Sequence, residues 1–169
     1  MTLTETDPRT ALVSLLPRLR RFAHGLTHDG PLADDLVQTA CLKALERWHQ
    51  WEPGTSLAGW MFRIVQTTWL DDYRATKRHK TDTLDDDHLP ELPGEDGRQV
   101  VEQRSEARQL HRLIEALPDE QRAVLLMVTV DGLSYKDAAQ ALGVPVGTVM
   151  SRLARARIRL ADGLGHGNA

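Results

Sequence analysis

The chain has 169 residues, 41% of them hydrophobic and 27% charged, which is enough apolar material for one domain or two small ones. Lys and Arg total 21 against 24 Asp and Glu, so a formal charge of −3 excludes a polycation that coats nucleic acid by bulk charge, while a single basic helix stays compatible. One cysteine, Cys41, excludes an internal disulfide and a four-thiolate zinc site; no apolar run approaches a membrane span and residues 1–10 carry no signal segment, so a cytoplasmic protein without membrane insertion is expected.

The pattern is helical throughout, with no strand-type alternation. A first helix is expected over about 9–26, where Leu12, Leu15, Leu16, Leu19 and Phe22 recur at helical spacing. A second runs from about Leu32 to Trp48, its buried side assembled from Leu36, Val37, Ala40, Ala44, Leu45 and Trp48. Pro31, Asp34 and Asp35 suit its start, where orphan amides favour negative charge. After Pro53-Gly54, Ser56 caps a third helix reaching Arg74 or beyond, with Leu57, Trp60, Met61, Ile64 and Val65 packed inward and Trp69 and Tyr73 further along. The basic end of that helix, Arg74, Lys77, Arg78 and Lys80, suits either contact with a nucleic-acid backbone or a solvated helix terminus.

Residues 81–97, TDTLDDDHLPELPGEDG, hold seven acids, two prolines, two glycines and no Lys or Arg, so they read as a flexible acidic linker. Two small helical domains in an all-α chain follow, 9–80 and 98–163. The second should contain a helix over 100–116, a helix over 118–130 with Pro118 in its first turn and Val124, Leu125, Met127 and Val128 as its core, a short helix YKDAAQAL capped by Ser134 and closed at Gly143, and a last helix over about 148–162.

The stretch 134–160 has the spacing of a helix-turn-helix. Ala138 and Ala139 are small where two helices cross steeply, and Val149, Leu153, Ala156 and Leu160 make one face of the last helix apolar. The opposite face holds Ser151, Arg152, Arg155 and Arg159, and between Ser134 and Leu160 five basic residues face one acid. A helix so built can project Arg toward guanine edges in the major groove of duplex DNA. Thr148, Ser151, Arg152 and Arg155 are expected in the groove, with Lys136 and Arg159 on phosphates.

Chemistry is absent from this inventory. Asp34 and Asp35 are adjacent, point about 100° apart on a helix, and have no His or nucleophile beside them. His24 and His28 lack a third ligand. No catalytic, metal or cofactor site is therefore expected, and the chain is not read as an enzyme.

Residues 117–160, LPDEQRAVLLMVTVDGLSYKDAAQALGVPVGTVMSRLARARIRL, resemble region 4 of the bacterial RNA polymerase sigma factors of the extracytoplasmic-function group. ADDLVQTACLKALERW at 33–48 and GWMFRIVQTTWLDDYR at 59–74 resemble their region 2. The resemblance implies a factor that directs core RNA polymerase to promoters, with the N-terminal domain opening the minus-10 element and the C-terminal one reading minus-35. It implies core RNA polymerase, double-stranded and locally melted promoter DNA, and an anti-sigma factor as partners. Asp34, Asp35, Leu36 and Gln38 match the polymerase-binding stretch, and Asp71 and Arg74 the Asp and Arg of the strand-opening helix. Arg63, Thr67, Trp69, Lys77 and Arg78 complete the expected minus-10 set; Thr67 stands where the family often has Asn. Two other readings compete: a stand-alone helix-turn-helix regulator whose N-terminal helices bind a ligand or dimerise, and a sigma-like adaptor.

Overall fold

The computed structural model describes residues 7–79 and 98–165, with the side chains of residues 73, 74, 76–79 and 98–103 outside the description. The expected linker 81–97 and Lys80 lie outside the described residues, as do the side chains of Arg74, Lys77 and Arg78. Among the described residues every regular element is helical.

Helix α1, Pro8–Thr27, begins where the Asp7 carboxylate accepts from the Arg9 amide and ends at His28, whose left-handed backbone (φ 54°) turns the chain. The Asp29 carboxylate then accepts from the Leu32 amide and opens α2, Gly30–Glu46, two residues earlier than expected. A 3-10 turn, Trp48–Gln50, leads to α3, Leu57–His79, where the Ser56 hydroxyl accepts from the Gly59 amide as its position in sequence suggested. Leu12, Leu19, Phe22, Leu36, Val37, Met61, Phe62 and Val65 form the packed centre of these three helices, with the Phe22 and Phe62 rings tilted at 4.9 Å.

Two expectations about α2 fail. Leu45 is exposed, because Ala40 and Ala44 already fill that side of the helix, and α2 stops at Glu46. Trp48 therefore packs from the 3-10 turn, edge-on to Trp60 at 5.9 Å and tilted against Trp51 at 5.5 Å, and not from a helical face.

In the second half, α4, Arg98–Glu115, is followed by α5, Asp119–Leu125, a π turn, Leu126–Val130, then α6, Tyr135–Leu142, and α7, Val146–Gly165. Pro118 is the extended cap before α5 (φ −53°, ψ 143°), outside the first turn in which it was expected. The expected helix 118–130 breaks in the middle: the Asp131 amide donates to the Leu126 carbonyl, an i to i+5 bond that widens the last turn. The break divides the apolar run. Val124 and Leu125 pack with Leu117, Ala138, Val149 and Leu153, whereas Leu126 and Met127, with Leu133, are buried in the core of α1–α3.

Arg122, unremarked in the sequence, is the keystone of the α4–α5 corner. Its guanidinium is buried and donates to the carbonyls of Ile114, Glu115 and Leu117 at the end of α4, where the helix runs out of amide donors and the Ile114 carbonyl also accepts from the Leu117 amide. The last helix is longer than expected at both ends; Gly163, just beyond the expected end, lies against Leu113 of α4, and its carbonyl accepts from the Gln109 amide group at 3.3 Å.

Candidate nucleic-acid interface

The helix-turn-helix is built from its caps inward. The Ser134 hydroxyl accepts from the Asp137 amide at 3.0 Å and starts α6, and Gly143 ends it in the left-handed conformation (φ 65°), its amide pointing back at Ala139 and Gln140. Pro145 then accepts from the Thr148 and Val149 amides and starts α7. Ala138 and Ala139 are buried against Val149, Leu153 and Ala156, so the two axes approach as closely as the small side chains allow.

That packing fixes which side of α7 faces water. Ser151, Arg155, Arg157 and Arg159 are exposed, Thr148 is half-buried, and Lys136 is exposed on α6. The Ser151 hydroxyl donates to the Thr148 carbonyl within the first turn. Arg152 differs from its neighbours. It lies on the flank nearest α5, largely covered, and its guanidinium pairs with the Glu120 carboxylate at 3.3 Å. Met150, which the sequence reading passed over, is exposed beside Ser151.

The expected polymerase-binding set separates into two kinds of position. Asp34, Asp35 and Gln38 are exposed on α2, with Asp34 paired to Arg20 at 3.3 Å across the surface. Leu36 is buried in the core at 4% exposure and is unavailable to a partner, a correction that follows from helical geometry: one residue beyond Asp35 the helix has turned about 100° inward. Leu42 (64% exposed) and Leu45 (39%) continue the Asp35–Gln38 face instead. Their spacing, four residues from Gln38 to Leu42 and three from Leu42 to Leu45, was the available signal; reading Leu45 as core hid it.

On α3, Arg63, Thr67 and Asp71 are exposed at intervals of four and share one side, and Trp69 is half-buried against the core. The Thr67 hydroxyl is occupied by its own helix, donating toward the Arg63 carbonyl at 2.9 Å and the Ile64 carbonyl at 3.2 Å, which leaves its methyl and an oxygen lone pair facing out. Thr68 next to it is buried and accepts from Lys43 of α2 at 3.1 Å.

Cys41 is half-buried and burial pushes its thiol up, away from a reactive thiolate. The His28 imidazole is pushed below its ordinary range, chiefly by burial, and its ring lies tilted against that of His111 with centroids 5.3 Å apart. Among the described residues no three His, Cys, Asp or Glu side chains converge as a metal site, and no helix is long and apolar enough to cross a membrane.

A helix-turn-helix with an exposed arginine face, joined to a three-helix unit with a solvent-facing polar helix side, defines a two-part helical DNA-binding protein. Residues 12–79 match the family model of sigma-70 region 2, and residues 107–160 that of sigma-70 region 4. The chain is 35% identical over 152 residues to the ECF RNA polymerase sigma factor EcfG of Rhodopseudomonas palustris, covering 90% of this chain and 82% of that one. It is 39% identical over 153 residues to SigM of Mycobacterium tuberculosis, covering 90% and 73%. The solved sigma factor RpoE of Bartonella quintana, in complex with the anti-sigma factor NepR, matches with a TM-score of 0.77 and 29% identity over 94% of this chain and 97% of that one. The fold is also that of CnrH in complex with the cytosolic domain of CnrY (TM-score 0.69). The protein belongs to the extracytoplasmic-function group of RNA polymerase sigma factors, and it directs core RNA polymerase to promoters.

Proposed function

We propose that the two halves divide this work at defined residues. The unit over 9–80 grips core polymerase through the exposed side of α2, with Asp34, Asp35 and Gln38 as its polar part and Leu42 and Leu45 as its apolar part. It opens the minus-10 element along α3 with Arg63, Thr67, Asp71 and Trp69, followed by the basic continuation Arg74, Lys77 and Arg78. The acidic stretch 81–97 links it to the unit over 98–163. There, Thr148, Ser151, Arg152 and Arg155 enter the major groove of the minus-35 element, and Lys136 and Arg159 hold phosphates. Arg152 reaches a base only by leaving or sharing Glu120, so Arg155, free and central on the exposed face, carries more of the base reading.

The observation supporting this division is that the polar faces of α2, α3 and α7 are all solvent-facing while the apolar side of each is buried. The solved sigma factor RpoE is held by the anti-sigma factor NepR, and we infer a partner of that kind for this chain. The role is non-enzymatic and cytoplasmic, where polymerase meets the chromosome.

Run-off transcription from a pool of promoter fragments, with purified core polymerase and with or without this protein, tests the reading. Selective initiation that depends on the added chain is expected, and Arg155→Ala should weaken binding to the selected minus-35 duplex by roughly 10- to 100-fold, the equivalent of about 1–3 kcal/mol for a base-reading arginine. DNA binding without core-dependent initiation would point to a stand-alone regulator instead.

A further inference from the structure

The exposed surface of α7 is divided lengthwise. Val149 and Leu153 are buried in the core of the recognition unit, and Ser151, two residues from each, points within about 20° of the opposite direction, straight outward. To one side of that line lie Thr148, Arg152, Arg155 and Arg159, and on this side Arg152 meets Glu120 of α5. To the other side lie Val146, Met150, Ala154 and Ile158, each four residues from the next and all exposed, Met150 at 53%. Gly147 falls between Met150 and Ser151 around the axis, one turn earlier, and nothing lies within 4 Å of where its Cβ would stand. A base edge can therefore approach Met150 from the Ser151 side without meeting another side chain.

The solvent-facing side of a surface helix is ordinarily polar, so an apolar strip beside the arginines calls for an apolar complement. The major groove supplies one. Its base edges are hydrogen-bond donors and acceptors except for the 5-methyl group of thymine. Met150 and Ala154 stand in the same two turns as Ser151 and Arg155, whereas Ile158 lies about 12 Å further along the axis than Met150. A helix that seats Ser151 and Arg155 on base edges thus brings Met150 to the same stretch of groove. An unbranched thioether adapts its shape to a single methyl group, and Ala154 is small enough to leave that space open.

We propose that Met150 selects thymine in the minus-35 element: its side chain packs, together with the Ala154 methyl, on a thymine 5-methyl group, while Arg155 reads the base on the other side of Ser151. The inference rests on the minus-35 reading above and adds a base that the arginines do not discriminate, because a guanidinium only donates and a methyl group accepts nothing. On an ideal helix the Cα atoms of Met150 and Arg155 are about 9 Å apart. The thymine accordingly lies within about three base pairs of the base read by Arg155, at about 3.4 Å per pair.

A methyl-deletion scan tests it. Holoenzyme is assembled from core polymerase and the full chain, and a promoter fragment selected in the run-off experiment is prepared with each minus-35 thymine, on either strand, replaced in turn by deoxyuridine. That change removes the methyl group and keeps the base pair. The parent holoenzyme is expected to bind about three- to fivefold more weakly at one such position, the factor that one buried methyl group contributes. Met150→Ala should lose a similar factor on the thymine fragment and be indifferent to deoxyuridine at that position, so that the two losses do not add. Met150→Leu, still apolar, should keep the sensitivity to deoxyuridine. Parent holoenzyme that is blind to every replacement overturns the proposal, and so does Met150→Ala that retains the parent's full sensitivity; either outcome would leave the apolar strip to a protein contact. Arg155→Ala separates this failure from that of the underlying reading: if it too binds every fragment as the parent does, α7 does not read the minus-35 element and Met150 falls with it.

Discussion

Replacing Arg122 offers the sharpest test of how the recognition unit is held together. Its guanidinium is 8% exposed and serves three carbonyls at the end of α4, those of Ile114, Glu115 and Leu117, with Asp119 at 3.9 Å. A hydrogen bond from a charged donor contributes about 1.5–3 kcal/mol net, so three summed naively would give well over 4 kcal/mol. That sum overshoots, because Glu115 is exposed and its carbonyl regains water once the arginine is gone, while Leu117, buried, does not. We expect Arg122→Ala to cost about 3 kcal/mol, and Arg122→Lys to recover less than half of it, since a single ammonium cannot reach three acceptors arranged for a planar fork. For a unit of this size 3 kcal/mol corresponds to a fall of more than about 10 °C in Tm. All four tryptophans lie in residues 48–69, so their fluorescence follows the N-terminal half, and far-ultraviolet circular dichroism must be read beside it to see the C-terminal half unfold. A loss under about 0.5 kcal/mol for Arg122→Ala, the range of ordinary surface changes, or a lysine variant as stable as the parent, would refute the keystone role.

Two further substitutions probe the contact between the two halves and the helix-turn-helix corner. Asp131 is pushed up to about 6 by burial, against the opposing pull of Arg18 and Arg21, and neither carboxylate oxygen has a hydrogen-bond partner. Because the folded protein holds the proton more tightly than the unfolded chain, this group favours folding below about pH 4 and loses that contribution as the pH rises through about 6. Asp131→Asn should thus stabilise the protein at pH 7.5 by up to about 3 kcal/mol and have little effect near pH 3.5; a gain independent of pH in urea titrations would contradict the burial argument. Gly143→Ala forces a side chain into the left-handed turn between α6 and α7 (φ 65°) and should cost about 1–2 kcal/mol in thermal melts, with Gly143→Asn milder. Equal melting of all three forms would show that the turn relaxes at no cost.

Much of the helix-turn-helix was legible because its signals are local. Ser134 and Gly143 mark the ends of one helix by their own chemistry, and the spacing of Val149, Leu153 and Ala156 identifies a buried face whatever it packs against. The failures share another cause. Periodicity tells which side of a helix is apolar and not which core receives it, so Leu45 was assigned inward although Ala40 and Ala44 leave no room, and Leu36 was matched to a partner surface although it is core. The run Val124-Leu125-Leu126-Met127-Val128 carried a clue: five consecutive apolar residues cannot all share one face of a helix. They serve two cores, through a π turn that no sequence pattern announced. Arg122 was missed because one arginine among 21 basic residues has no local signature; its role appears only when two helix ends meet.

The shared core also bears on modularity. Region 4 looks like a cassette that could be moved between sigma factors to transplant promoter preference. In this protein the cassette carries part of the other half's interior: Leu126, Met127 and Leu133 fit against a recess shaped by Gly25, and Ala141 against one shaped by Gly59. A chimera that imports a foreign recognition unit onto this N-terminal half therefore inherits a mismatched joint unless Arg18, Gly25 and Gly59 are exchanged with it. Inheritance of promoter choice in such a protein is tied to residues that touch no DNA.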